Sequence, residues 1–400
     1  MGASQIPLDT AAAEAHLLNF LQIPGQSGEE AEIAAAVSDA LIKVGVAANA
    51  IRFDTANQRI NLPTQTGNLF ADIPGTRPGP RLVFATHLDV VPICDGAKPI
   101  IDGDHIKTDG STGLGGDNRT GCAVLVSLAE TLLKHKLPHP PITLLFTVRE
   151  ESGIQGAQHL DAAQLQGAVM GFNVDSRVPA DLITGAVGQE SWEVEIFGQA
   201  AHAGVAPERG ISATMVGALA LAEVRQGGWF GKVQQPDDHG TSNVGIFGGK
   251  GKQPAGNATN VVTDYVFIKG ESRSPRAEFA TAITAAYKTA LENAARQVTD
   301  ADGKPATLNF SSHAAYPPFN LPDDSPAVAR AKRAAESLGM KPTTVFSNGG
   351  LDANWFVKHG LPTVTIGAGQ YEIHTVNEYV NLPEFFDGCR LAVALATIAD

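Results

Sequence analysis

Five short segments of the chain carry acidic or histidine side chains, and each follows a predicted strand. They are His87-Leu88-Asp89, Gly115-Gly116-Asp117-Asn118, Arg149-Glu150-Glu151-Ser152-Gly153, Asp175-Ser176-Arg177, and His374 after Gly367-Ala368-Gly369. Ligand sites of open α/β sheets form at the carboxyl ends of the strands, so we expect these side chains to meet there. The histidines, aspartates and two adjacent glutamates of these segments offer nitrogen and oxygen ligands without sulfur. Such a set is typical of zinc, manganese or cobalt rather than of a structural thiolate zinc site.

Each segment alone also has an ordinary interpretation. A histidine near a strand end is usually a hydrogen-bonded loop residue, and adjacent glutamates in a turn are usually solvated. Asp117, before a predicted helix, could simply be its N-cap. The coincidence of five such segments at equivalent strand ends favours a joint metal site.

The elements that must position these residues alternate between helix and strand over the first 175 residues, which is typical of an α/β sheet with crossover helices. Short apolar runs at residues 82–85, 142–146 and 168–174 predict buried strands, and residues 121–133 predict a helix within the core. The sequence Ser27-Gly28-Glu29-Glu30 predicts a capping box at the start of a further helix. In it the Ser27 side chain would accept from the Glu30 amide, and the Glu30 side chain would reach back to the Ser27 amide.

The pattern changes near residue 190, where Trp192, Val194 and Ile196 alternate with other side chains as in a half-polar strand. The elements that follow give the order β-α-β-β-α-β, which is the ferredoxin-like split. We therefore predict an inserted second domain over residues 190–312. Residues 1–189 and 313–400 form the first domain.

Composition narrows the function classes. The chain has 400 residues and a formal charge of −13, which argues against nucleic acid and anionic membranes as partners. No apolar run reaches about 18 residues, so we expect no transmembrane helix. Three widely spaced cysteines support neither a disulfide framework nor a thiolate site, and a reducing, cytoplasmic location is expected.

Four stretches together resemble the dizinc exopeptidase family of peptidase T, carboxypeptidase G and the aminoacylases, in its peptidase T-like branch. Residues 85–92 (ATHLDVVP) resemble the first metal motif, residues 98–101 (KPII) and 108–118 (TDGSTGLGGDN) the approach to a bridging aspartate, and residues 146–153 (FTVREESG) the double-glutamate motif. The resemblance covers nearly the whole chain. It implies a mixed-sheet catalytic domain of the zinc-exopeptidase type with an inserted ferredoxin-like α+β lid domain of the kind that dimerises in relatives.

The same resemblance implies the metal ligands. His87 and Asp175 would bind one divalent ion, Glu151 and His374 would bind the other, and Asp117 would bridge the two. The ions implied are two zinc ions, with manganese or cobalt as alternatives. The peptide bond from Asp117 to the next residue would be cis.

Five further residues receive roles from the resemblance. Asp89 would hold the second ring nitrogen of the histidine ligand, and Glu150 would be the general base. In the lid, His202 would donate to the oxyanion, while Asn260 and Arg273 would grip the substrate. Without the family pattern, His202 would be read as a helix cap, Asn260 as a turn residue and Arg273 as half of a surface ion pair.

The chain departs from the family branch at Asn118, Arg149 and Leu351. None of these residues is an implied metal ligand, so the departures leave open the substrate preference and not the activity. The prediction is a cytoplasmic dizinc aminopeptidase acting on short peptides, such as tripeptides. The alternative is an amidohydrolase or carboxypeptidase that removes an N-acyl group or a C-terminal residue with the same metals. The presence of Glu150 argues against a non-catalytic metal or peptide binder. A homodimer and a monomer both remain open.

Overall fold

The structure, a computed structural model, describes residues 6–399. The first five residues and Asp400, which the predicted first domain includes, lie outside this part. The chain divides into two compact units: the first reaches to Ala186 and resumes at Phe319, and the second is Val187–Pro318. Over residues 6–399, none of the helices combines the length and apolar character needed to cross a membrane.

The strands, β1–β18 in chain order, are Ile51–Phe53, Leu69–Ile73, Leu82–His87, Ile100–Asp102, His105–Lys107, Ile142–Thr147, Met170–Val174, Asp181–Ala186, Gly188–Phe197, Gly231–Gln234, His239–Gly248, Tyr265–Ser274, Thr307–Tyr316, Phe319–Asn320, Thr343–Ser347, Thr363–Ile366, Gln370–Tyr371 and Tyr379–Asn381. The α-helices, α1–α9, are Thr10–Phe20, Ala31–Lys43, Gly116–His135, Gln155–Gln158, Ala213–Gln226, Ala277–Gln297, Pro326–Ser337, Ala353–Lys358 and Leu382–Thr397.

A nine-stranded mixed sheet organises the first unit, in the order β1-β2-β6-β3-β7-β16-β8-β14, with β15 beside β8. Strands β6, β3, β7 and β16 run parallel to one another. Strands β3, β6 and β16 are buried along their whole length, as expected for short apolar runs with covered faces. The register pairs His87 with Thr147 and Ala85 with Asn173, so the carboxyl ends of β3, β6 and β7 lie side by side.

Helix α3 packs against β3 and against the helices α1 and α9. Its residues are buried almost throughout, including Cys122 and Leu128, which agrees with the apolar helix predicted from the sequence. Helix α1 was not predicted, although the Asp9 side chain accepts from the amide of Ala12 as an N-cap. A small antiparallel sheet, β17-β18-β5-β4, was also not predicted.

The second unit is an antiparallel sheet in the order β10-β11-β12-β9-β13, against which α5 and α6 pack. Without β10 this is the ferredoxin-like arrangement. The sequence pattern missed β10, a four-residue edge strand of which only Val233 is fully buried. Strand β9 alternates buried and half-buried positions, with Trp192 at the centre of the core.

Candidate metal centre

The carboxyl edge of the nine-stranded sheet brings the sequence-predicted residues of the first unit together. His87 is the last residue of β3, and Asp175 follows β7 directly. Glu150 and Glu151 lie in the turn after β6, and Asp117 lies in the first turn of α3. His374, the predicted ligand farthest along the chain, lies in the loop between β17 and β18.

Asp117 stands between the two histidines. Its Oδ1 lies 3.1 Å from Nε2 of His87, and its Oδ2 lies 3.3 Å from Nε2 of His374. Nε2 of His87 is also 3.6 Å from Oδ1 of Asp175, and Nε2 of His374 is 2.8 Å from Oε1 of Glu151. One potential ligand atom from each of His87, Asp117 and Glu151 lies within 4.8 Å of the others, a spacing that could hold a metal ion.

The carboxyl groups of this cluster are close together and shielded from water, and this shifts their pKa values. Burial, together with the nearby charge of Asp117, raises the pKa of Glu151 to about 7. Burial likewise raises the pKa of Asp175 and, strongly, that of Glu150. Hydrogen bonds to Asp117 and Glu151 raise the pKa of His374 to about 10. Several acidic groups therefore compete for little positive charge, and a bound cation would relieve this repulsion.

The Asp117–Asn118 peptide bond is cis, as the resemblance implies. Asn118 is fully buried; its Nδ2 donates to the carbonyl oxygen of Val174 at 2.7 Å, and its Oδ1 accepts from the amide of Gly121 at 3.0 Å. This departure from the family pattern thus ties the start of α3 to the end of β7.

Asp89 makes contacts other than those predicted. Nδ1 of His87 lies 3.0 Å from the backbone oxygen of Asp89 but 3.5 Å from its Oδ1, so the carbonyl makes the closer contact. The fully buried carboxylate accepts from the amides of Glu150 at 2.9 Å and Glu151 at 3.1 Å. It also accepts from the Ser27 hydroxyl at 2.5 Å. Asp89 therefore holds the double-glutamate turn as well as the histidine.

The predicted capping box is wrong. Helix α2 begins at Ala31, and its N-cap residue Glu30 makes no side-chain cap bond. Gly28 turns the chain with φ +94°, so Ser27 reaches Asp89 while Glu30 points inward to the amides of Gly28 and Arg149.

Sequence reasoning missed Glu378, a buried residue that follows His374 by four positions. Its carboxylate accepts from the amides of Leu114 and Gly115, both at 2.8 Å, and of Asp117 at 3.0 Å. These partners are some 260 residues away in sequence, so no local pattern could have found them. Glu378 fixes the loop that delivers Asp117.

Asp352 is a second missed residue, and it directly follows Leu351, one of the positions at which the chain departs from the family branch. It is 1% exposed and accepts from the Thr147 hydroxyl. Within the described part of the chain, its Oδ1 has no hydrogen-bond partner. Burial raises its pKa to about 7. A carboxylate in an otherwise apolar segment after two glycines was the available signal.

The remaining three predicted residues belong to the second unit. His202 forms an antiparallel bridge with Val261, and the carbonyl oxygen of Asn260 accepts from the amide of Ala203 at 2.9 Å, so His202 and Asn260 lie on adjoining segments. Arg273 donates to both carboxylate oxygens of Glu271, from Nε at 2.9 Å and from Nη2 at 3.0 Å. This is the ion pair that the sequence offered as the alternative for Arg273.

Comparison with known proteins identifies the class of protein to which this fold and this residue cluster belong. The chain is 33% identical over 379 residues to YqjE of Bacillus subtilis (strain 168), an uncharacterized protein, with 94% of this chain and 95% of YqjE covered. Its structure matches aminopeptidase PepT from Bacillus cereus ATCC 10987 with a TM-score of 0.83, 32% identity and 98% of both chains covered. It matches a tripeptidase from Staphylococcus aureus subsp. aureus Mu50 with a TM-score of 0.87, 27% identity and 98% of both chains covered.

The fold and the cluster define a metal-dependent peptidase with a mixed α/β catalytic sheet. Residues 83–397 match Peptidase family M20/M25/M40. The chain belongs to this family.

Proposed function

We propose that the protein is a tripeptide-type aminopeptidase that hydrolyses short peptides with two divalent ions. The observation that carries the proposal is the position of Asp117, each of whose oxygens faces a different histidine. His87 has Asp175 as its second neighbour, and His374 has Glu151. Two sets of one imidazole and one carboxylate, joined by a shared aspartate, are what a pair of metal ions requires.

The donor set fits zinc. Zinc binds imidazole nitrogen and carboxylate oxygen, and catalytic zinc sites use three protein ligands and leave a further position for water or substrate. Each of the two sets offers three donors when the shared Asp117 is counted in both. Manganese and cobalt suit the same donors, so zinc is the first of three candidates.

The metal ions would lower the pKa of a bound water and polarise the scissile carbonyl. In this proposal Glu150 accepts the proton of that water and returns it to the leaving amine. The hydrogen bond from its backbone amide to Asp89 at 2.9 Å, which restrains the turn that carries Glu150, supports this role. Burial raises the pKa of the Glu150 carboxyl group above the usual range, and a shift in this direction favours proton uptake.

His202 is proposed as the donor to the oxyanion, and Asn260 and Arg273 as residues that bind the substrate. The resemblance of their motifs supports these roles, and the adjoining backbone positions of His202 and Asn260 are compatible with a shared task. For Arg273 to bind a substrate carboxylate it would have to exchange or share Glu271, with which it pairs through two nitrogens.

A substrate panel tests the proposal. The metal-loaded protein is assayed with a free tripeptide, its N-acetylated analogue and its C-terminally amidated analogue. An aminopeptidase cleaves the free and amidated peptides and spares the acetylated one. Cleavage that requires a free C-terminus would instead show a carboxypeptidase, and release of the acetyl group would show a deacylase. We also propose a cytoplasmic location. Light scattering would distinguish a monomer from a homodimer.

A further inference from the structure

Glu30 is a fully buried carboxylate for which the proposed function has so far found no use. Its Oε1 accepts from the amide of Gly28 at 2.7 Å and from the amide of Arg149 at 3.0 Å. Its Oε2 is buried and has no hydrogen-bond partner among residues 6–399. All of its hydrogen bonding thus passes through one oxygen, and one of the two bonds reaches the residue that precedes Glu150.

Three consecutive backbone amides of the double-glutamate turn point at buried carboxylates. The amide of Arg149 donates to Glu30, and those of Glu150 and Glu151 donate to Oδ1 and Oδ2 of Asp89. A short turn with every one of these N–H groups satisfied by a carboxylate has little freedom to rotate, since moving it would leave a buried donor unpaired.

The backbone conformation of Arg149 is the feature that these hydrogen bonds would maintain. Its φ is +53°, a left-handed conformation that costs a non-glycine residue free energy and persists only where the surroundings enforce it. Its guanidinium donates to the carbonyl oxygen of Pro63, to Thr64 and to Ser152. A Cβ on Gly28 would lie 2.0 Å from Nη2 of Arg149, so the glycine allows the two segments to approach.

We propose that Glu30 is a positioning residue for the Glu150 general base: by accepting the amide of Arg149, it fixes the left-handed turn that aims Glu150 and Glu151. The inference rests on the proposed function, in which Glu150 takes the proton. Glu30 itself touches neither substrate nor metal in this role. It acts through the backbone of Arg149, from a segment about 120 residues earlier in the chain.

Four variants of the full chain, loaded with zinc, test the proposal. E30M keeps the side-chain length but has no oxygen to accept the two amides. E30Q keeps Oε1 and places its NH2 at the position of the unpartnered Oε2, so it is the conservative variant. E30D keeps the charge but withdraws the oxygen by one methylene. E29M is the matched control, because Glu29 is the exposed neighbour of Glu30.

Three readouts apply to each variant: tripeptide kinetics across pH, zinc content, and hydrogen exchange of the backbone over residues 148–153. We expect E30M to lose at least tenfold in kcat with KM changed less than threefold, a shifted pH profile, two zinc ions retained and faster exchange. E30Q should stay within threefold of the wild type with a protected turn, and E29M should match the wild type. If E30M does not fold, E30D should show the same losses.

An E30M or, failing that, an E30D variant with wild-type kcat, pH profile and exchange protection would overturn the proposal. So would an E30Q variant as slow as E30M, because its oxygen can still accept both amides. A wild-type protein that cleaves no peptide would refute the proposed function alone. The exchange rates of E30Q and E30M would then still decide whether Glu30 holds the turn.

Discussion

Replacing Asp89 with asparagine should cost both stability and turnover. Both carboxylate oxygens are in use: Oδ1 accepts from the amide of Glu150, and Oδ2 accepts from the amide of Glu151 and from the Ser27 hydroxyl. Asparagine has one acceptor oxygen. In either orientation of the new amide, its NH2 faces one of the two backbone N–H groups, and that group loses its partner.

The magnitude follows from this count. A buried N–H without an acceptor costs about 1–3 kcal/mol, and a hydrogen bond to a neutral rather than a charged acceptor is weaker by about 1 kcal/mol. We therefore expect a loss of about 2–4 kcal/mol, a large part of a typical unfolding free energy of about 5–15 kcal/mol. If the freed turn moves by about 1 Å, kcat should fall by about 100-fold.

Urea denaturation and tripeptide kinetics of the zinc-loaded protein measure the two effects. Ser27→Ala is the matched control, because it removes one donor to the same carboxylate and leaves both amides bonded; it should cost about 1.5 kcal/mol, the lower end of the range for a hydrogen bond to a charged group. An Asp89→Asn variant with the stability of Ser27→Ala and unchanged kcat would show that the carboxylate does not hold the turn.

Four further outcomes are expected. Glu150→Gln should keep both metals and lose about two or more decades in kcat, because an amide cannot accept the proton; near-normal kcat would contradict the assignment. Elemental analysis of Asp117→Ala should show both metals weakened together, whereas His374→Ala should mainly weaken one; two retained metals without Asp117 would exclude the bridge. His202→Ala should lower kcat with both metals bound, and normal turnover would mean that another group stabilises the oxyanion. Burial raises the pKa of Glu30 to about 7, above its value of about 4.5 in the unfolded chain. The acid thus favours folding below pH 4.5 and loses this advantage as the pH rises to 7, so urea denaturation should show the wild type losing up to about 3 kcal/mol relative to Glu30→Gln over that interval.

Short apolar runs made the catalytic sheet predictable. Strands β3 and β6 begin at the predicted residues, Leu82 and Ile142. In the second unit the pattern failed at a boundary. The apolar pair Val261-Val262 suggests the start of a strand, but β12 begins at Tyr265, because Val261 pairs with His202 instead. An apolar pair in the sequence indicates that the two residues are buried or paired with another strand, but it does not identify the partner.

The histidines and carboxylates of the site were predictable for a different reason. Metal chemistry restricts residue type, and parallel strands place their carboxyl ends at one edge. Type and topology together therefore predict that His87, Asp117 and Glu151 lie close together, as they do in the structure. Neither constraint applies to the buried carboxylates around them. Glu378 holds the loop that leads to Asp117 through backbone amides. A hydrogen bond from a backbone amide does not restrict the residue type at the donor position, so the sequence does not reveal it.

The same physical cause explains both kinds of carboxylate. In the proposed function, two metal ions bind among several negative side chains at one sheet edge, and these side chains repel one another whenever the positive charge is absent. Their turns must therefore be held by bonds that do not depend on the metals. Glu378 supplies such bonds before Asp117, and Asp89 with Glu30 supplies them at the double-glutamate turn. Because these partners are backbone amides, the ligand geometry can persist through metal loss, and apo protein should rebind zinc without refolding.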